Sequence, residues 1–224
     1  MDRRARRSGS AQTVRFVRVA ALLATATVAT ACSGWRDRVD STRAAADPEQ
    51  QDLSPRDPAA EPIELELKGY RVRLTPRARY GFSAYAIETS RKLLDEWDFI
   101  APMDLAIAWG PVASPEVLKR LRFHLSGRYV SYRWEGEIPG ISQPVLASHI
   151  ANNHLVPADE DVARALKRVR IGDLVTLRGL LVDLEVRDRD GRVRHSARTS
   201  VRRDDIGSGA CEQIWVESVD VERP

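Results

Sequence analysis

The chain lacks the long apolar run that a membrane-spanning helix needs. Its apolar leader segment, Val19 to Ala31, is thirteen residues long, against the ~20 required to cross a bilayer. Cysteine is scarce, with only Cys32 and Cys211, and there are four histidines. No internal repeat is present, so a repeat architecture is excluded. The HExxH helix of zinc metalloproteases is missing. So is a dinucleotide fingerprint: GSGACE lacks the third glycine and the strand–glycine–helix order. Neither the SHGC pattern of L,D-transpeptidases nor the TLxTC pattern of sortases surrounds Cys211.

What is present begins with a basic leader, Met-Asp-Arg-Arg-Ala-Arg-Arg, followed by Arg15, Arg18 and the apolar run. That is the make-up of a secretory signal. The small residues Ala29, Thr30 and Ala31 then precede Cys32 and Ser33. This stretch resembles the lipobox of bacterial lipoproteins, with Ala29 where that family usually has Leu. The resemblance implies cleavage before Cys32, a diacylglycerol on its thiol, and a lipid anchor on the periplasmic side of the cell envelope. By resemblance to lipoprotein sorting in Gram-negative bacteria, Ser33 rather than Asp after the cysteine implies the outer membrane over the inner one. A plain secretory signal and an uncleaved anchor are the alternatives.

A net positive charge is also missing once the leader is removed. The whole chain has 35 basic and 32 acidic residues, and residues 1–31 hold six Arg and one Asp. The processed chain therefore keeps 29 basic and 31 acidic residues. A nucleic-acid partner is not expected, because that binding needs a cationic surface. With Cys32 acylated, Cys211 has no partner for an intramolecular disulfide and is either buried or reactive; burial is the ordinary state of a free cysteine.

Residues 32–62 carry four prolines, many charges and little that forms a core. That composition predicts a disordered tether after the lipidated cysteine, with a reach of roughly 30 Å. Residues 63–224 suit a single globular domain. Period-two alternation on either side of Lys68-Gly69 predicts a hairpin, and Tyr80 to Ile87 a further strand. The apolar run APMDLAIAWGP, bounded by Pro102 and Pro111, fits a single helical turn plus a buried segment, and periodicity alone does not decide. Ser114 before Pro115 and Glu116 predicts a short helix to Leu121, and RYVSYRW a strand. Asp159 caps a helix with Val162, Leu166 and Val169 on one face. In GDLVTLRGLLVDLEV the apolar phase changes at Gly179, which predicts a bulge or bend. The GDLVTLRG opening resembles the first strand of OB-like barrels. Asp190-Gly191 marks a turn, and RVRHSART and QIWVESVDV are the last strands. The fold expected is α+β and β-rich, a bent-strand barrel or sheet with one or two short helices.

Residues 98–220 as a whole resemble a group of uncharacterised bacterial envelope proteins. The resemblance rests on MDLAIAWGP, SYRW, HIANNHLVPADEDVARALKRVRIGDLVTLRGLLVD and RTSVRRDDIGSGACEQIWVE. It implies kinship and location, with no activity or cofactor attached. Two runs hold more polar chemistry than packing needs. In SHIANNHLVP, His149 and His154 are candidates for proton transfer or ligand binding. Five residues apart, they do not share a helix face; the alternative is that Asn153 and His154 serve a helix end or loop backbone. In RTSVRRDDIGSGACE, Arg203, Asp204 and Asp205 are binding candidates, as is Asn153, and Cys211 is a candidate nucleophile if a base lies nearby. Trp97, Trp109, Trp134 and Trp215 suit either a core or a carbohydrate-binding face, and His124 and His195 carry no motif. No metal or cofactor is expected. The leading expectation is a lipid-anchored binding or scaffolding domain without catalysis, its partner another envelope protein or a wall component. The alternative is an envelope hydrolase or transferase using Cys211 with His149 or His154.

Overall fold

A computed structural model describes residues 34–90, 95–134, 136–202 and 210–224. The strands are β1 (Glu49–Asp52), β2 (Ile63–Leu67), β3 (Tyr70–Ser90), β4 (Met103–Ala108), β5 (Leu121–Ser126), β6 (Tyr129–Trp134), β7 (Ile150–Pro157), β8 (Leu174–Arg187), β9 (Val193–Ala197) and β10 (Glu212–Glu222). Among the described residues there are three short α-helices rather than one or two: α1 (Pro115–Arg120), α2 (Gln143–Ser148) and α3 (Glu160–Leu166). The fold is α+β and β-rich.

Strands β3, β4, β7, β10 and β8 follow one another in hydrogen-bonded order, and β8 pairs back onto β3. The circuit is therefore a closed five-stranded barrel, antiparallel except for the β7–β10 pair. With α3 between its third and fourth strands in sequence, the connectivity is OB-like. The GDLVTLRG run, expected as a first strand, opens β8, which is the fourth barrel strand in sequence. Closure requires strongly bent strands. β3 carries an extra residue opposite β8 between Pro76 and Ala78, and another opposite β4 between Ala86 and Glu88. Pro76 has no N–H to give to a ladder, which suits an interruption there.

The expected break at Gly179 takes a different form. β8 runs without a slip, and the extra residue lies on its partner β10, between Val216 and Ser218. A side chain at Gly179 would sit 2.0 Å from the Trp215 carbonyl oxygen, so only glycine permits this approach. The phase change records which face of β8 is covered. Val175, Leu177 and Leu181 point into the barrel core. Leu180, Val182, Leu184 and Val186 point into a second apolar cluster with Val72, Leu74 and Ile100. Beyond the barrel, β3 and β8 continue as a ribbon flanked by β2 and β9.

Several local expectations are met. Lys68 and Gly69 turn the β2–β3 hairpin with φ of 51° and 81°. Ser114 caps α1, and Asp159 caps α3 through a bond from the Val162 N–H. Tyr80 to Ile87 is not a separate strand but the middle of the 21-residue β3. Within the APMDLAIAWGP run, Met103–Ala108 is β4, buried along its whole length, and the run leads into a single 3-10 turn at Gly110–Val112, so a helical turn and a buried segment are both there.

The disordered tether expected over 32–62 does not hold for its described part. Trp35 is 8% exposed and, with Val39 and Ala44, joins the barrel core. Tyr85 Oη donates to the Asp40 carbonyl and accepts from the Asp40 N–H. β1 pairs antiparallel with the edge of β3. A few well-placed apolar residues order a segment whose average composition is polar.

Candidate functional site

The site grows from one cross-strand pair. β4 and β7 are antiparallel, with Asp104 opposite His154. Alternation sends Leu105 and Leu155 into the barrel core and leaves Asp104, Asn152 and His154 on the outer face. That face is covered by the turn of the β5–β6 hairpin. Gly127, at φ 57°, makes the turn and Arg128 follows it. Arg128 Nη1 donates to Asp104 Oδ1 at 2.9 Å and to the Ala101 carbonyl at 3.2 Å. Its Nε and Nη2 donate to the two oxygens of Asp95, at 2.7 and 3.2 Å. Asp104 is fully buried, so Arg128 and His154 supply the compensation its charge requires.

His154 Nδ1 donates to Asp104 Oδ1 at 2.9 Å. Its other partner is Cys211, one residue before β10, whose parallel pairing with β7 sets Glu212 against Asn153. Asn152 Nδ2 donates to the Arg128 carbonyl at 2.9 Å and points at Cys211 Sγ, 3.9 Å away. Burial pulls the His154 pKa down, but hydrogen bonds to Asp104 and Cys211, and the charges on both, raise it to about 9. The ring is therefore an imidazolium at neutral pH, beside a sulfur that accepts from it. Arg128 holds the Asp95 carboxyl below its ordinary range.

Cys211 is half-buried rather than enclosed. It and His154 line an open cavity of about 260 Å³ between the barrel wall and the ribbon. The opposite wall carries Trp97 and His195, stacked at 5.1 Å. Burial lowers the His195 pKa, against the pull of the Asp95 charge. Tyr129 and Arg198 stand at the rim, both exposed. Among the described residues, no three His, Cys, Asp or Glu side chains are grouped to hold a metal ion.

The structure separates the candidates named from sequence. Cys211 and His154 converge. His149 does not: it ends α2 as the C-cap, and its Nδ1 meets the Val145 carbonyl at 2.9 Å. The helix-end role expected for Asn153 and His154 thus falls to His149, because β7 begins at the next residue. Asn153 is fully buried and donates to the Leu105 carbonyl at 3.0 Å. It is a core contact and no ligand-binding residue. Arg203, Asp204, Asp205 and Cys32 lie outside the described residues. Trp109 is core and Trp134 is exposed.

Asp104, Arg128, Asp95 and His195 escaped the sequence reading. Asp104 had a usable signal: a lone carboxylate in the apolar run MDLAIAW is a buried charge that must be paired. Arg128 had none, since its role comes from a hairpin folding over a distant strand pair. No protein-family model matches the chain, and neither the curated proteins nor the solved structures contain a match.

Proposed function

We propose that this is a lipid-anchored envelope protein whose domain is a thiol-dependent hydrolase or transferase acting on an acyl group. The observation that supports it best is the placement of His154 between buried Asp104 and Cys211, at the wall of an open cavity. Cys211 is the nucleophile, His154 the acid–base group, and Asp104, braced by Arg128, fixes the ring. The thiolate adds to the carbonyl carbon of an ester or amide. As the tetrahedral species collapses, the imidazolium proton passes to the departing oxygen or nitrogen, leaving a thioester on Cys211. Water, or the hydroxyl or amine of an acceptor, then attacks the thioester and returns a proton to His154.

The test is acylation of the folded protein by an activated ester, followed by mass spectrometry. The expected result is an acyl adduct on Cys211 that turns over, with no adduct in Cys211→Ser and loss of turnover in His154→Gln. A Cys211 that resists both the ester and small thiol reagents overturns the enzyme reading. A binding domain without catalysis is the second reading. It is favoured by the way Arg128 ties Asp95, Ala101 and Asp104 together, which makes the same cluster a rigid pocket wall. The anchor rests on the leader and Cys32. Clickable fatty acid should label the wild type and not Cys32→Ser.

A further inference from the structure

We infer that the end of the domain around Trp35 and residues 167–171 is a docking surface for anionic phospholipid. The inference rests on lipidation of Cys32 and deepens it. The expected tether of about thirty residues is not available, because the chain is already ordered at Trp35. Three peptide steps separate Cys32 from Trp35, a reach of at most about 10 Å. An acyl chain on Cys32 therefore brings whatever surrounds Trp35 to the headgroups.

What surrounds it is basic. Trp35 packs against Gly172, where an added side chain would come within 2.7 Å of the indole side chain. Gly172 follows Lys167, Arg168, Arg170 and Ile171, all exposed. Arg38 Nε donates to the Pro224 carbonyl at 3.2 Å, and Arg223 lies 3.9 Å from Asp173, which places both in the same corner. Three acidic groups there face basic side chains: Asp37 meets Lys119, Glu222 meets Arg43, and the buried Asp173 lies near Arg223 and also accepts from the Arg170 backbone N–H. Ile171 is 42% exposed, one of five large apolar side chains in solvent among the described residues. Clustered Lys and Arg around one exposed aliphatic side chain is the chemistry that holds an anionic lipid surface.

The experiment uses the processed chain, residues 32–224, with Cys32→Ser, which retains every residue of both apolar clusters. Co-sedimentation is measured with phosphatidylcholine vesicles with and without phosphatidylglycerol, at low and high salt. The expected result is binding that requires phosphatidylglycerol, weakens with salt, and falls at least about tenfold in Arg168→Glu/Arg170→Glu. Ile171→Asp should weaken it as well. Arg189→Glu/Arg192→Glu, at the exposed turn beyond the far end of β8, is the charge-matched control and should match the parent. Circular dichroism establishes that each variant is folded. No binding to phosphatidylglycerol, or equal losses at 168/170 and at 189/192, overturns the docking surface. Failure of acyl labelling at Cys32 removes the anchor and leaves the vesicle result standing, so the two failures are distinguishable.

Discussion

Two histidines five residues apart in the sequence occupy opposite regimes. His154 and its carboxylate partner are 15% and 0% exposed, with 2.9 Å between their atoms. His149 has a carboxylate neighbour as well, Asp47, but at 3.9 Å and with that side chain 79% exposed. One pair is desolvated and shared with Arg128 and a sulfur. The other is wet, and its ring is held by a backbone carbonyl. Residue type and spacing were the same kind of evidence for both. What separates them is where the chain changes from helix to strand, between His149 and Ile150. That boundary leaves the first ring at a helix end and sets the second on a barrel strand opposite Asp104.

The two histidine sites differ most in what their carboxylates hold together. Asp104→Ala leaves Arg128 and His154 without their shared counter-charge and should cost about 3–5 kcal/mol in urea unfolding. Asp47→Ala loses the bond from Trp109 Nε1, at 3.0 Å, and should cost about 1 kcal/mol. Equal losses would remove the distinction. The next effect is in pH. The His154 pKa is raised on folding, from 6.5 to about 9. Its contribution to stability is thus complete below about 6.5 and lost as pH rises through about 9, a change of roughly 3 kcal/mol. The wild type should lose stability across that window relative to His154→Gln, and His149→Gln should follow the wild type. The smallest effect is on the thiol. Iodoacetamide should modify Cys211 at pH 7 about tenfold more slowly in His154→Gln, because the sulfur loses the imidazolium hydrogen-bonded to it. In His149→Gln the rate should stay at the wild-type value.

The parts of the fold legible in the sequence were those set by neighbours along the chain. Lys68-Gly69 and the caps at Ser114 and Asp159 are local patterns, and the structure carries each of them, whereas the phase change at Gly179 reflects two covered faces of β8 and the bulge lies on β10. The site was legible only in half. Cys211 and His154 were named, but Asp104 lies 50 residues before His154, and only the β4–β7 register brings them together. Asn153 and His154 were expected at a helix end because Asn and His suit such ends, whereas a barrel strand has one face for a buried amide and another for a polar site. Residues 35–62 misled through their average. Four prolines and many charges hide the fact that Trp35, Val39 and Ala44 are enough to fix the path.

β10, the fifth barrel strand in sequence, lies inside the barrel circuit, between β7 and β8, rather than at an edge. During synthesis the other four barrel strands emerge first and have no way to close. The sulfur that meets His154 stands one residue before that strand. The ribosome must therefore release all five barrel strands before thiol and imidazole come together, which keeps a reactive pair apart in the nascent chain.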